Sequence, residues 1–516
     1  MRPPLIEPPS DGSVNSVHSQ SGYRGDSMSE TRVASTHPAA QPNPRLGIVV
    51  AVACLALFMA VLDSTIVTMA LPNMKIGLGL SDGQQQWVVS GYLVTLGGLL
   101  LLAARAGDLF GHKRVFLFGV VVFTAASLVG GLATNATVLI AARIVQGAGA
   151  AALTPTSLSL ITASHPEGPL RARALALWSM MGGVAGLVGV VLGGVLTAEL
   201  SWRWVLFVNI LPGIVLLVAG QRYLLPTVRA AHVRLDLIGA LCVTVGVGAL
   251  TNGFSEASTA GWGSPKVVIP LAVAAVLIAA FLVAEVKAPQ PLIPLALVRP
   301  RNLRIANLLM LFVGVTLTAL MYFLSLYCQQ VLGYSALRTG MALLPVTVVF
   351  VIGGLTSRHL VPKFGSRPVL VAGGLIATVG ILWLATVPTH SAYVTHILLP
   401  NLVGGFGVSV MLLAITISGT TGVDAENAGA ASGLLNTSRQ IGGAVGLAVL
   451  VNIASSVTSR VSHDNGQLDA LVQGYRITFL VNAGLMFLAV LVALALSPAV
   501  PRAEETHEAL DEPVGA

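Results

Sequence analysis

The sequence predicts an all-α polytopic membrane protein of fourteen spanning helices, laid out as two six-helix halves with an inserted helix pair. Three observations carry this. Only 9% of the 516 residues are charged and the mean hydropathy is +0.84, too little charge to cover a water-soluble surface. Apolar runs long enough to cross roughly 30 Å of hydrocarbon recur along nearly the whole chain, separated by short polar or charged loops. A faint internal repeat adds the two-fold plan. Gly107-Asp108-Leu109-Phe110-Gly111-His112-Lys113-Arg114 follows the second run, and Arg358-His359-Leu360-Val361-Pro362-Lys363-Phe364-Gly365-Ser366-Arg367 follows the tenth. Both read as tight, basic, glycine-containing turns. Aligning them pairs helices one to six with nine to fourteen, two halves related by an axis along the membrane normal.

Taken in order, residues 1–44 are rich in Ser, Pro and Gly and read as a disordered cytoplasmic tail rather than a cleaved leader. The N-terminal half, 45–225, holds spans at 46–70, 87–104, 114–133, 137–162, 172–198 and 204–224. The inserted pair, 226–290, holds 236–254 and 266–286. The C-terminal half, 291–500, holds 304–331, 338–358, 368–388, 394–419, 427–455 and 476–498, and 501–516 is a cytoplasmic tail. Helices are expected because the runs are continuous, whereas barrel strands alternate. The 55 glycines then mark close helix contacts.

The net charge of +7 does not indicate a nucleic-acid partner, since the basic residues are scattered and form no patch with interleaved aromatics. They instead sort by side. Loops carrying Arg105, Lys113, Arg114, Arg171, Arg173, Arg301, Arg304, Lys363 and Arg367 fall on one face, and far fewer bases fall opposite. The positive-inside rule puts that face, and both termini, in the cytoplasm of a plasma-membrane protein. Cys54, Cys242 and Cys328 lie within spans and read as small buried side chains. The histidines make no metal-ligand spacing, and no phosphate-binding GxxxxGK[ST] loop is present. No metal or cofactor is expected, and direct ATP drive is unsupported.

Asp63 is the most informative residue. It lies in Leu62-Asp63-Ser64-Thr65-Ile66-Val67-Thr68-Met69-Ala70-Leu71-Pro72, with no Lys or Arg between Arg45 and Lys75. An acid at this depth costs roughly 2.5 to 3.5 kcal/mol, so it faces a partner, a cavity or a proton path. The fourth span offers the partner in Leu139-Ile140-Ala141-Ala142-Arg143-Ile144-Val145-Gln146-Gly147. At 1.5 Å per residue, Asp63 lies roughly 13 Å below its outer helix end and Arg143 roughly 10 Å below its own. They can meet at one level. A guanidinium favours the ionised carboxylate and burial the neutral acid, a competition suited to proton coupling. A purely structural ion pair is the alternative.

These stretches, with the glycine row Gly182-Gly183-Val184-Ala185-Gly186-Leu187-Val188-Gly189-Val190-Val191-Leu192-Gly193-Gly194, resemble the major facilitator superfamily in its fourteen-helix branch of drug:proton antiporters. Ser201-Trp202-Arg203-Trp204, Leu235-Asp236-Leu237-Ile238-Gly239 and Asn436-Thr437-Ser438-Arg439-Gln440-Ile441-Gly442-Gly443 are similar to that branch as well. The resemblance implies that Asp63 and Arg143 handle the proton. It makes Asp108, Gly111, Lys113 and Arg114 a gating loop, although Ala104 and Leu109 depart from the family's pattern there. Topology-setting charge is the other reading of that loop. Gly186, Gly189, Gly193 and Gly194 are implied as the antiporter packing motif, with Val190 where Pro is usual.

Gln146, Tyr322, Tyr327, Gln329 and Arg439 are candidate cavity residues; Tyr322, Tyr327 and Gln329 equally suit interhelical hydrogen bonds, and Arg439 a pairing with the cytoplasmic gate. Trp202 and Trp204 fit an interfacial belt and Asp236 a helix N-terminus. The function implied is a monomeric secondary transporter, not an enzyme, exporting drug-like molecules in exchange for protons. Alternatives are an uptake carrier or a lipid or metabolite exporter on the same scaffold, and, from another class, a membrane sensor without transport. The expected partners are a small-molecule substrate, protons and the bilayer.

Overall fold

The computed structural model describes residues 44–165, 168–225, 235–287, 291–292, 300–390, 392–424, 427–462 and 466–496. Residues 1–43 of the expected N-terminal tail and all of 501–516 lie outside them. Among the described residues, fourteen helices are long and apolar enough to span a bilayer. They are α1 Pro44–Leu78, α2 Asp82–Phe110, α3 His112–Gly131, α4 Ala136–Ser164, α5 Pro169–Glu199, α6 Trp204–Tyr223 and α7 Leu237–Ala260. The series continues with α8 Pro265–Lys287, α9 Arg301–Val331, α10 Ala336–Phe364, α11 Ser366–Leu384, α12 Val394–Thr420, α13 Ala428–Val461 and α14 Gln467–Leu496.

Several helices outrun the apolar stretches that announce them, because caps in the polar loops, rather than hydropathy, set their ends. Ser81 and Gln84 form a reciprocal capping box that starts α2 at Asp82. Asn135, Asp236 and Ser335 accept from the backbone N–H three residues on and start α4, α7 and α10. The two repeated turns share one device. Gly111 and Gly365 adopt φ of 94° and 81° between consecutive helices, a region open to glycine at little cost.

Packing repeats with a shift of eight helices. In the first six, α1 lies against α4, α5 and α6, α4 also against α2 and α3, and α3 against α6. In the last six, α9 lies against α12, α13 and α14, α12 also against α10 and α11, and α11 against α14. Across the seam, α2 meets α13 and α5 meets α10, a pair of contacts the same shift interconverts. Helix α7 packs on α8 and touches both α2 and α13, so the pair leans on the seam.

The two sets of six are drawn together at the end where α1, α5 and α9 finish. There Ser325 Oγ donates to the Thr68 carbonyl (3.3 Å) and Gln329 Nε2 to the Met69 carbonyl (3.2 Å). The α5 backbone at Val190 and Gly194 packs on α10 at Gly340 and Ala336. This end is called the closed end below.

Candidate functional site

Helix α1 delivers Asp63 into the interior of the N-terminal six, where it is 0% exposed. Arg143 on α4, 1% exposed, makes an ion pair with its Oδ2. Two amides complete the shell, Gln146 Nε2 donating to Oδ1 at 2.7 Å and Asn209 Nδ2, from α6, at 2.8 Å. Asp63 is thus held by three donors from two helices, a setting suited to the anion.

The guanidinium is equally fixed. Its Nε donates to the Val88 carbonyl (3.0 Å), its Nη1 also to Gln146 Oε1 (2.7 Å), and it lies 4.4 Å over the Tyr92 ring. Tyr92 is held by its hydroxyl on the Ala60 carbonyl at 3.0 Å, and Gln146 by Ser127 Oγ at 2.6 Å. Chemically, a proton on Asp63 replaces an acceptor with a donor in a shell made of donors. Arg143, which has only donors, must then let go or find another acceptor.

A cavity of about 560 Å³ lies beside this pair, between α1, α2, α4, α5, α9 and α13. Arg143 forms part of its wall and Asp63 does not. Apolar side chains such as Leu57, Leu93, Trp178 and Met321 alternate with Ser64, Thr68, Thr318 and Asn436 around it. Of the candidate cavity residues, Tyr322 and Arg439 line it, whereas Gln146 belongs to the Asp63 shell. Tyr327 bonds the Pro388 carbonyl, and Gln329 ties α9 to α1 at the closed end, so neither faces the cavity.

Three motif glycines mark close approaches. A Cβ at Gly189 would meet Thr65 Oγ1 at 1.9 Å, at Gly193 the Ile66 carbonyl at 2.8 Å, and at Gly194 the Ala336 carbonyl at 2.7 Å. Gly186 differs, since nothing lies within 4 Å of its Cβ position. Helix α5 runs unbroken through Val190.

In the turn between α2 and α3, Asp108 pairs with His112 at 3.4 Å within the same helical corner. Among the described residues it makes no ion pair across the seam. Lys113 instead donates to the Gln221 carbonyl (2.9 Å) and that of Leu224, capping the end of α6. Arg114 borders an apolar surface hollow with Phe110 and Phe118.

Asn209, Ser127 and Tyr92 escape the sequence reading, and Asn209 has a counterpart. Arg203-Trp204-Val205-Leu206-Phe207-Val208-Asn209 of α6 parallels Arg476-Ile477-Thr478-Phe479-Leu480-Val481-Asn482 of α14. Asn482 accepts from Thr316 Oγ1 of α9 at 3.0 Å, the place Asp63 holds in α1. Arg143-Ile144-Val145-Gln146-Gly147 is paralleled in α12 by Asn401-Leu402-Val403-Gly404-Gly405. The second six therefore keeps the layout with the charges removed.

Residues 53–447 match the model of the Major Facilitator Superfamily. The chain is similar to the cephamycin export protein of Amycolatopsis lactamdurans, 41% identical over 87% of this chain and 92% of that protein. It is 36% identical to the puromycin resistance protein of Streptomyces alboniger, over 91% of this chain and 95% of that one. Among solved structures, an inward-facing, occupied bacterial homologue of the human lysosomal transporter Spinster has a TM-score of 0.66 at 17% identity. That match covers 89% of this chain and 98% of that one, and shares the fold. Fourteen spans, the repeated packing and these relatives place the chain in one family: it belongs to the major facilitator superfamily, alongside antibiotic and drug export proteins.

Proposed function

We propose that this transporter exports antibiotic-like or drug-like small molecules in exchange for protons, by alternating access. The observation that carries the reading is the buried Asp63–Arg143 pair, with the arginine in the cavity wall and the acid directly behind it. Protonation of Asp63 releases Arg143 toward the cavity, and deprotonation draws it back. Proton occupancy and the shape of the substrate site are thereby linked through one side chain.

The two halves, 45–225 and 291–500, rock about the cavity, with the inserted pair 226–290 beside the seam. The turn bearing Asp108, Gly111, Lys113 and Arg114 biases the balance between states, and Gly189, Gly193 and Gly194 let α5 pack closely on α1 and α10 as they move. The chain works as a monomer in the plasma membrane with both termini in the cytoplasm, as its basic loops favour. Export rather than uptake is supported by the relatives named for export and resistance.

Reconstitution tests this. Wild-type proteoliposomes should move drug against its gradient when a pH gradient is imposed, and Asp63→Asn should abolish drug-dependent proton flux while still inserting. Undiminished coupled export in that variant would remove Asp63 from the mechanism. A susceptibility panel in a pump-deficient host, with and without a protonophore, gives the substrate range.

A further inference from the structure

We propose that the cavity contains a subsite for an anionic group of the transported molecule, with Arg439 as its counter-ion; this rests on the export reading above. Two guanidinium groups line the cavity, and they are not equivalent. Arg143 is neutralised by Asp63. Arg439 donates to Asn436 Oδ1 at 2.7 Å, a neutral amide one turn back on its own helix. Among the described residues no carboxylate lies within ion-pair distance of Arg439, whereas Arg143 has Asp63. With Asp63 ionised, the wall as a whole carries one uncompensated positive charge.

A cation at membrane depth without a protein counter-charge is costly to keep, and such residues mark the path of a substrate or ion. Arg439 is also rigidly carried. Its carbonyl oxygen lies 2.0 Å from where a Cβ on Gly314 would stand, so α13 is pressed against α9 at this level. The bond to Asn436 occupies one of the five guanidinium N–H donors. Thr318, Tyr322 and Gln440 bring uncharged polar groups to the same wall, and Trp178 and Met321 an apolar surface.

A forked cation beside neutral hydrogen-bonding groups recognises a carboxylate or sulfonate in two-point fashion. The apolar remainder accepts an aromatic body, and the volume of about 560 Å³ suits a drug-sized molecule. The substrate class is therefore an amphipathic organic anion. A cavity selecting organic cations would be expected to present an unpaired acid instead.

The test uses two probes of one shape, 8-anilinonaphthalene-1-sulfonate and N-phenyl-1-naphthylamine, which lacks the sulfonate. Their binding to the full chain in neutral-lipid nanodiscs is read by quenching of tryptophan fluorescence, with empty nanodiscs as the baseline. The wild type should prefer the sulfonate. Arg439→Gln should weaken it about 10- to 100-fold, the range for hydrogen bonds to a charged group, and leave the naphthylamine unchanged. Arg439→Lys should recover part of the loss. Equal binding of both probes by the wild type, or sulfonate binding untouched in Arg439→Gln, would overturn the proposal. Should Arg439→Gln fail to fold, the wild-type preference decides alone.

Gradient-driven efflux of each probe from proteoliposomes keeps the two readings apart. Efflux without sulfonate preference sinks the subsite only. Sulfonate preference with neither probe transported sinks the export reading and leaves the subsite standing.

Discussion

Alanine at Gly340 tests how the closed end is held. A Cβ there would stand 2.6 Å from the Val190 carbonyl oxygen of α5 and 3.8 Å from Gly194 Cα. Ordinary contact begins at 3.4 Å, so α5 and α10 must part by about 0.8 Å (3.4 − 2.6). The obstacle is backbone and cannot swing aside. Overpacking of this kind costs about 1 to 3 kcal/mol, and alanine returns about 1 kcal/mol through its helix propensity in every state. The steric part falls only on the state in which these helices touch. Its population relative to the alternative should drop about 5- to 150-fold. Spin labels at Glu199 and Arg338, near the closed-end termini of α5 and α10, report this by pulsed electron paramagnetic resonance. A longer-distance population should grow in Gly340→Ala and not in Gly186→Ala, where nothing lies within 4 Å. A wild-type distance distribution in Gly340→Ala would refute the claim that this contact sets the balance.

Three further outcomes follow from the geometry. Asn209→Leu removes a 2.8 Å donor from Asp63 and should cut gradient-driven transport in proteoliposomes about 10- to 100-fold; a wild-type rate would make Asn209 a packing residue only. Arg143→Lys keeps the charge but cannot serve Asp63, Gln146 and the Val88 carbonyl together, so transport should fall at least about tenfold. Gly111→Ala places a side chain at φ 94° and should cost about 1 to 3 kcal/mol, seen as a lower Tm of the solubilised protein.

The spans were legible because apolar length is a property of local sequence, and Asp63 and Arg143 were legible as partners because helix rise converts numbering into depth. Side of the helix was harder. Tyr322 and Tyr327 are five residues apart, about 140° around an α-helix, so they could not both face the cavity. Gln329 shares the Tyr322 face but sits about 10 Å further along, at the closed end. Asn209 was hidden by its neighbours, since Trp202 and Trp204 read as an interfacial pair. In fact Trp202 turns inward against Gly77 while Trp204 is 48% exposed. A lone amide in Leu206-Phe207-Val208-Asn209-Ile210-Leu211 carries the same signal as the lone acid of α1, at lower intensity. Gly340 carries no such signal, because only the approach of α5, more than a hundred residues earlier in the chain, makes its missing side chain matter.

The uncharged counterpart of the site, Thr316 with Asn482, and Asn401 where the arginine would be, bears on energetics. A duplicated scaffold could have carried two such acid–arginine pairs; among the described residues the buried pair stands in the first six helices and an uncharged threonine–asparagine bond in the second. Under the proposed exchange each turnover then spends a single proton. The steepest gradient of a neutral substrate equals the proton-motive force, roughly fiftyfold per 100 mV at about 2.3 kcal/mol per charge. For an organic anion the membrane potential acts twice per cycle, once on the entering proton and once on the departing charge. Concentrating power would then come from the substrate's own charge rather than from a second acid in the protein.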